Sequence, residues 1–233
     1  MMRAALFDVG DTLVENWSAD LSRRTRAALV SNFGEREWYD AWLAARIEPE
    51  DTAVLEQTTL DWYRRWFEAQ GVDLAGLPLE HLRAAMVLPL DEVSTPVPGA
   101  FDAVRWCHGR GLRVVLVTNT LSRGDAEVVE DWRRFGISHL ICGVVSSHSV
   151  GWRKPHAAIF ERALALADCR AEDAFMVGDN LAADVGGAKR LGLRAVWRRR
   201  PGAALDDYDG PPPDAIVDDL TSLPAVVTPW LSA

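Results

Sequence analysis

No stretch of this 233-residue chain stays apolar long enough to cross a bilayer, which takes roughly 20 residues of helix. No charged-then-apolar leader opens it either: M-M-R-A-A-L-F-D runs straight into a strand-like segment, so a cytoplasmic protein is expected. Cysteine is scarce. Cys107, Cys142 and Cys169 form no C-x-x-C and no metal-ligand spacing, which argues against a disulfide framework and fits a reducing compartment. The five histidines show no ligand spacing. Positive charge is in deficit, with 25 Lys and Arg against 34 Asp and Glu and a net charge of −9. That balance argues against a nucleic-acid-binding face. It leaves room for an anionic small substrate, because one lysine and a metal can outweigh the global field locally. No G-x-G-x-x-G follows the first strand, which removes a nucleotide-binding oxidoreductase. There is no internal repeat, and no low-complexity tract beyond Pro211–Pro213.

Apolar residues are 48% of the chain, enough for a real core. Strand-like runs fall at Arg3–Asp8, Arg113–Thr118, Leu140–Ser146, Ala174–Gly178, Arg194–Trp197 and Ala215–Val217. Amphipathic helical stretches lie between them, around 100–110, 123–135, 157–167 and 181–191. Gly111, Gly136 and Gly192 sit where helix C-caps are expected. The alternation predicts an α/β fold, a Rossmann-like parallel sheet with helices on both faces.

One region breaks the rhythm. Between about Glu15 and Thr95 there is no convincing strand, only helical periodicity carrying Trp17, Trp38, Trp42, Trp62 and Trp66. Turn signals near Gly34, Pro49–Asp51, Gly71–Pro78 and Pro89 divide it into four expected helices. Uninterrupted loops longer than about 12–15 residues are uncommon. The segment is therefore read as an inserted helical domain over 15–96, with the α/β core formed by 1–14 and 97–233. The tryptophans, at helical spacing, are read as that domain's own core. Arg23, Arg24, Arg26, Arg64 and Arg65, like the acidic run Asp206–Asp209, are read as solvated faces.

In an open parallel sheet, ligands collect at the carboxyl ends of the strands. Asp8, Gly10, Asp11 and Thr12 follow the first strand, Thr118 and Asn119 the second, and Gly178, Asp179, Asn180 and Asp184 the fourth. Lys154 and Pro155 precede the helix at 157. Three carboxylates in one crevice repel unless a cation sits among them, and hard oxygen chemistry points to Mg²⁺. A lysine beside that metal suits a phosphoryl group.

Taken in order, four segments resemble the motifs of the haloacid dehalogenase-like superfamily: F-D-V-G-D-T-L at 7–13, V-T-N-T at 117–120, G-W-R-K-P at 151–155 and V-G-D-N-L-A-A-D-V-G-G-A at 177–188. The inserted helices match the α-helical cap of the subfamily whose cap follows the first motif. The resemblance implies Asp8 as covalent nucleophile, with Thr118, Asn119 and Lys154 holding the phosphoryl oxygens. It implies Asp8, the carbonyl of Gly10, Asp179 and nearby Asp184 as the Mg²⁺ site. The expected activity is that of a phosphatase acting on a small phosphorylated molecule through an aspartyl-phosphate.

Gly10 departs from the pattern. The family's usual D-x-D places an acid there, and such help is worth roughly 10²–10⁴-fold. Asp11 points a different way and is read as a local hydrogen-bonding residue. Two other readings follow: a 2-haloacid dehalogenase, which tolerates a non-acid at position 10, and a binding or regulatory protein that kept the pocket and lost turnover.

Overall fold

The computed structural model describes residues 1–15, 17–45, 59–120, 122–205 and 208–231. Among these residues eight strands follow in order: β1 (Ala4–Phe7), β2 (Val14–Glu15), β3 (Thr95–Pro96), β4 (Arg113–Thr118), β5 (Gly143–Ser146), β6 (Ala174–Gly178), β7 (Arg194–Arg198) and β8 (Ala215–Val217). Six of them form one parallel sheet in the order β5-β4-β1-β6-β7-β8. β1 is central because it can be: Ala4, Ala5, Leu6 and Phe7 are all fully buried, the unbroken apolar run of a parallel strand covered on both faces. The side chains alternate. Ala5 and Phe7 pack with Leu116, Phe175 and Val177 on one face, while Ala4 and Leu6 pack with Val115, Met176 and Trp197 on the other.

The helices are α1 (Leu21–Phe33), α2 (Tyr39–Ala45), α3 (Thr59–Ala69), α4 (Leu79–Ala85), α5 (Leu90–Val93), α6 (Ala100–Gly109), α7 (Asp125–Arg134), α8 (Ser147–Val150), α9 (Ala157–Ala167), α10 (Gly187–Arg190) and α11 (Leu223–Leu231). α6, α7 and α11 cover one face of the sheet through Val104, Trp132 and Val227; α9 and α10 cover the other through Ile159, Phe160 and Ala188. Gly111, Gly136 and Gly192 have φ of 77°, 76° and 88°, the left-handed conformation expected just past a helix end. The stretch at 181–191 departs from a uniform α-helix. It opens as a π-turn over Leu181–Gly186 and becomes α-helical only at Gly187. Among the described residues no helix is long and apolar enough to cross a membrane.

Helices α1 to α5 are inserted between β2 and β3. Five described helices stand where four were expected, because the turn signal at Pro89 begins the short α5. The turn signal at Pro49–Asp51 lies outside the described residues. The insert has its own core of Leu29, Tyr39, Trp42, Tyr63, Phe67 and Leu82, with Trp42 stacked on Phe67 at 4.6 Å between centroids. Trp38, Trp62 and Trp66 pack against it, as their spacing predicts. Trp17 does not, and goes elsewhere. β2 and β3, two residues each and antiparallel, join the ends of the insertion at the core boundary. Such short strands carry no periodicity for a sequence to display. Buried Arg83 of α4 fastens the insert to the core by an ion pair to Glu127 at 2.6 Å.

Candidate active site

β1 is the point where the chain's route through the sheet reverses, with β4 on one side and β6 on the other. That reversal opens a crevice at the carboxyl ends. A cavity of about 360 Å³ lies there, lined by Asp8, Gly10, Thr118, Asn119, Lys154 and Asp179, and also by Asp184. Every residue singled out from the strand-end motifs as catalytic, phosphate-binding or metal-ligating is therefore in one place.

Lys154 organises the floor. Its side chain is only 2% exposed, and Nζ reaches Asp8 Oδ1 at 2.5 Å, Asp184 Oδ1 at 2.7 Å and donates to the Val117 carbonyl at 2.8 Å. Two carboxylates hold the ammonium in its charged form, against the desolvation that burial imposes. Asn119 fixes the backbone that carries this lysine. Its Nδ2 donates to the Lys154 carbonyl at 3.0 Å and its Oδ1 accepts from the Lys154 amide at 2.7 Å. The Asn119 side chain is thus a positioning group, a role its place in the motif did not suggest. Thr12, fully buried, donates its hydroxyl to Asp8 Oδ2 at 3.1 Å. Thr118 lines the cavity at the end of β4, 6% exposed.

Carboxylate oxygens of Asp8, Asp179 and Asp184 lie within 4.8 Å of one another. Asp184 gets there through the π-turn, which places its carboxylate over the end of β6, where Oδ2 accepts from the Asn180 amide at 3.0 Å. A Cβ on Gly178 would lie 2.3 Å from the Asp184 carboxyl, so only glycine leaves that space. Burial, then the charges of Asp8 and Asp184, push the Asp179 carboxyl up to about 8. Burial likewise raises Asp8 to about 6, with Lys154 opposing it.

These shifts carry a prediction for the metal-free protein. Above about pH 4 the unfolded chain has released protons that folded Asp179 keeps until about 8. The native state binds more protons across that window, so its stability falls as pH rises through it. In a chelator, the melting temperature should drop between pH 6 and 8, and Asp179→Asn should flatten that slope. An unchanged slope in the variant would show that Asp179 is not the group responsible.

Three residues at the cavity were not legible as site residues. Trp17 lies over Gly10, its ring 3.5 Å from where a Cβ would stand, and its indole donates to Asp11 Oδ1 at 3.1 Å. Arg200 pairs with Asp11 Oδ2 and, through Nε, with Asp179 Oδ2, each at 3.1 Å. Arg123 lines the cavity while its Nε donates to Asp131 at 2.8 Å. Asp11, at φ 52°, accepts from Trp17 six residues on and from Arg200 far along the chain.

Comparison with known proteins places the chain in a family. Residues 2–192 match the family model described as haloacid dehalogenase-like hydrolase. The chain is 34% identical over 206 residues to the ribulose-1,5-bisphosphate 5-phosphatase of Halopiger xanaduensis, covering 84% of each protein. Its fold is similar to that of a HAD phosphatase from Thermococcus onnurineus, with a TM-score of 0.67, 22% identity and 97% and 98% of the two chains covered. It is about equally similar to a 2-haloacid dehalogenase from Pseudomonas syringae, with a TM-score of 0.66, 22% identity and 99% and 100% covered.

Proposed function

The chain belongs to the haloacid dehalogenase-like hydrolases, and from that premise we propose that it is a Mg²⁺-dependent phosphatase acting on a small organic phosphate through a phosphorylated Asp8. The observation that carries this reading is the grouping of Asp8, Asp179 and Asp184 around a buried lysine. A dehalogenase needs the aspartate and no metal. Three crowded carboxylates, one of them pushed up to about 8 by burial and then by its neighbours, form a set that suits a hard cation. The second reading, a 2-haloacid dehalogenase, is favoured by Gly10 alone.

The donor set fits magnesium: the carboxylates of Asp8 and Asp179 and the Gly10 carbonyl would hold it, with Asp184 beside them. When bound, the ion supplies positive charge facing the phosphoryl oxygens. A carboxylate oxygen of Asp8 attacks phosphorus, a new O–P bond forms, and the bond to the leaving oxygen breaks with its electron pair. Lys154 offsets negative charge on Asp8 and on the phosphoryl group throughout. The Thr118 hydroxyl and the backbone N–H of Asn119 hold the other phosphoryl oxygens, and positioned donors of this kind are worth roughly 3–4 kcal/mol when removed singly. Water then attacks phosphorus, releasing phosphate and restoring Asp8.

Phosphate release from phosphorylated metabolites and halide release from 2-haloacids, each with Mg²⁺ and with a chelator, tests the reading. Turnover should require Mg²⁺, and the ion should raise the melting temperature by binding the native state. Asp179→Asn should weaken both responses together. Halide release that survives chelation would replace the phosphatase by the dehalogenase.

A further inference from the structure

A second cavity, of about 220 Å³, adjoins the first, and Trp17 and Arg123 line both. Its walls come from the insert: Leu21 of α1, Leu43 of α2, Met86 and Leu88 after α4, and Val93 of α5. None of its described lining residues is acidic. Its polar lining is Ser22, Thr25, Ser122 and Arg123, whose guanidinium is already engaged by Asp131 and the Leu88 carbonyl. Six of the ten described lining residues are apolar. An apolar ring suits the space: an engineered cavity of roughly 150 Å³ lined by apolar side chains takes benzene.

The position of Trp17 ties this cavity to the reacting carboxylate. Its indole is anchored on Asp11, its ring covers Gly10, and it forms part of the apolar cavity's wall. A phosphoryl group at Asp8 would therefore have its leaving oxygen directed past Gly10 toward the apolar cavity. Gly10 adds an independent argument. With no acid at that position, a leaving group that departs as a stable anion is preferred, and an aromatic hydroxyl does so far better than an aliphatic one.

We propose that the substrate is an aromatic phosphate monoester whose ring occupies the cavity between Trp17, Leu21, Leu43, Met86, Leu88 and Val93. This rests on the phosphatase reading. In the step itself, the Asp8–phosphorus bond forms, the phosphorus–oxygen bond to the ring breaks, and the aryl oxygen keeps the electron pair and takes a proton from solvent.

The test separates the ring from the leaving group. Benzyl and ethyl phosphate both leave as aliphatic alkoxides and differ in the ring. With the full chain and Mg²⁺, kcat/KM for benzyl phosphate should exceed that for ethyl phosphate at least tenfold. Ser22 is exposed on the first turn of α1 at the cavity's edge, so Ser22→Phe should fill the space and bring the ratio near one, in a variant that melts as the parent does. Both substrates turned over at equal kcat/KM by the parent, or a ratio undiminished in Ser22→Phe, overturns the assignment of this cavity and leaves the phosphatase reading standing. 4-Nitrophenyl phosphate is the control. If it too releases nothing with Mg²⁺, the phosphatase reading fails and this proposal with it.

Discussion

Asp8→Asn is expected to reduce turnover to on the order of a thousandth of the parent or less, while the protein melts within a few degrees of it. The two side chains have nearly the same shape, and an amide cannot carry the attack on phosphorus. The fold should tolerate the change because burial already disfavours charge at this position, raising the Asp8 carboxyl to about 6. Lys154 would lose its 2.5 Å contact with a carboxylate but keep Asp184 at 2.7 Å and the Val117 carbonyl at 2.8 Å. Its ammonium is therefore not left buried and unpaired, the circumstance that makes a broken buried ion pair so costly. Steady-state rates, a melting curve and a search for the phosphorylated protein by mass would be measured together. A variant retaining a tenth of the parent rate would end the covalent role of Asp8.

The second large effect concerns Gly10. Without an acid beside the leaving oxygen, the rate should depend steeply on its basicity. Aryl and acyl phosphates are expected to be turned over about 100-fold faster than simple alkyl phosphates, within the range general acid catalysis supplies. Hydrolysis of the phosphorylated Asp8 lacks its usual base as well, so activated substrates should show an initial burst. Gly10→Asp should recover at least about tenfold on alkyl phosphates, equivalent to about 1.4 kcal/mol of barrier. The structure allows the substitution: Gly10 is not in the left-handed region, and among the described residues a Cβ there meets only Trp17, at an ordinary contact distance of 3.5 Å. Equal parent rates on aryl and alkyl substrates, with no burst and no gain in Gly10→Asp, would mean that another group moves the proton.

Much of the site was legible in the sequence because its residues occupy strand ends, and strand ends are local. An apolar run followed by Asp8, another by Thr118 and Asn119, and a third by Gly178 and Asp179 identify both the sheet and the edge on which the chemistry stands. The α/β alternation, the inserted helices and their tryptophan core were legible for the same reason, since 2.0 and 3.6 residue periods are written along the chain. Chain-distant relations were not. The π-turn that lays Asp184 over Gly178 has no period of its own, and the two-residue pair β2 and β3 is too short to show one.

Trp17 read as one more tryptophan of the insert's core, and nothing along the chain singled out Arg200. Only the folded chain brings Trp17 over Gly10 and Arg200 onto Asp11 and Asp179, across as many as 189 residues of separation. The sequence by itself determined which atoms can do chemistry, because that depends on residue type at the ends of periodic elements. The tertiary structure alone decided what surrounds those atoms, namely the shared lysine, the raised Asp179 and the apolar space beyond Trp17. Burial and charge coupling depend on distances through space, and no spacing along the chain encodes them.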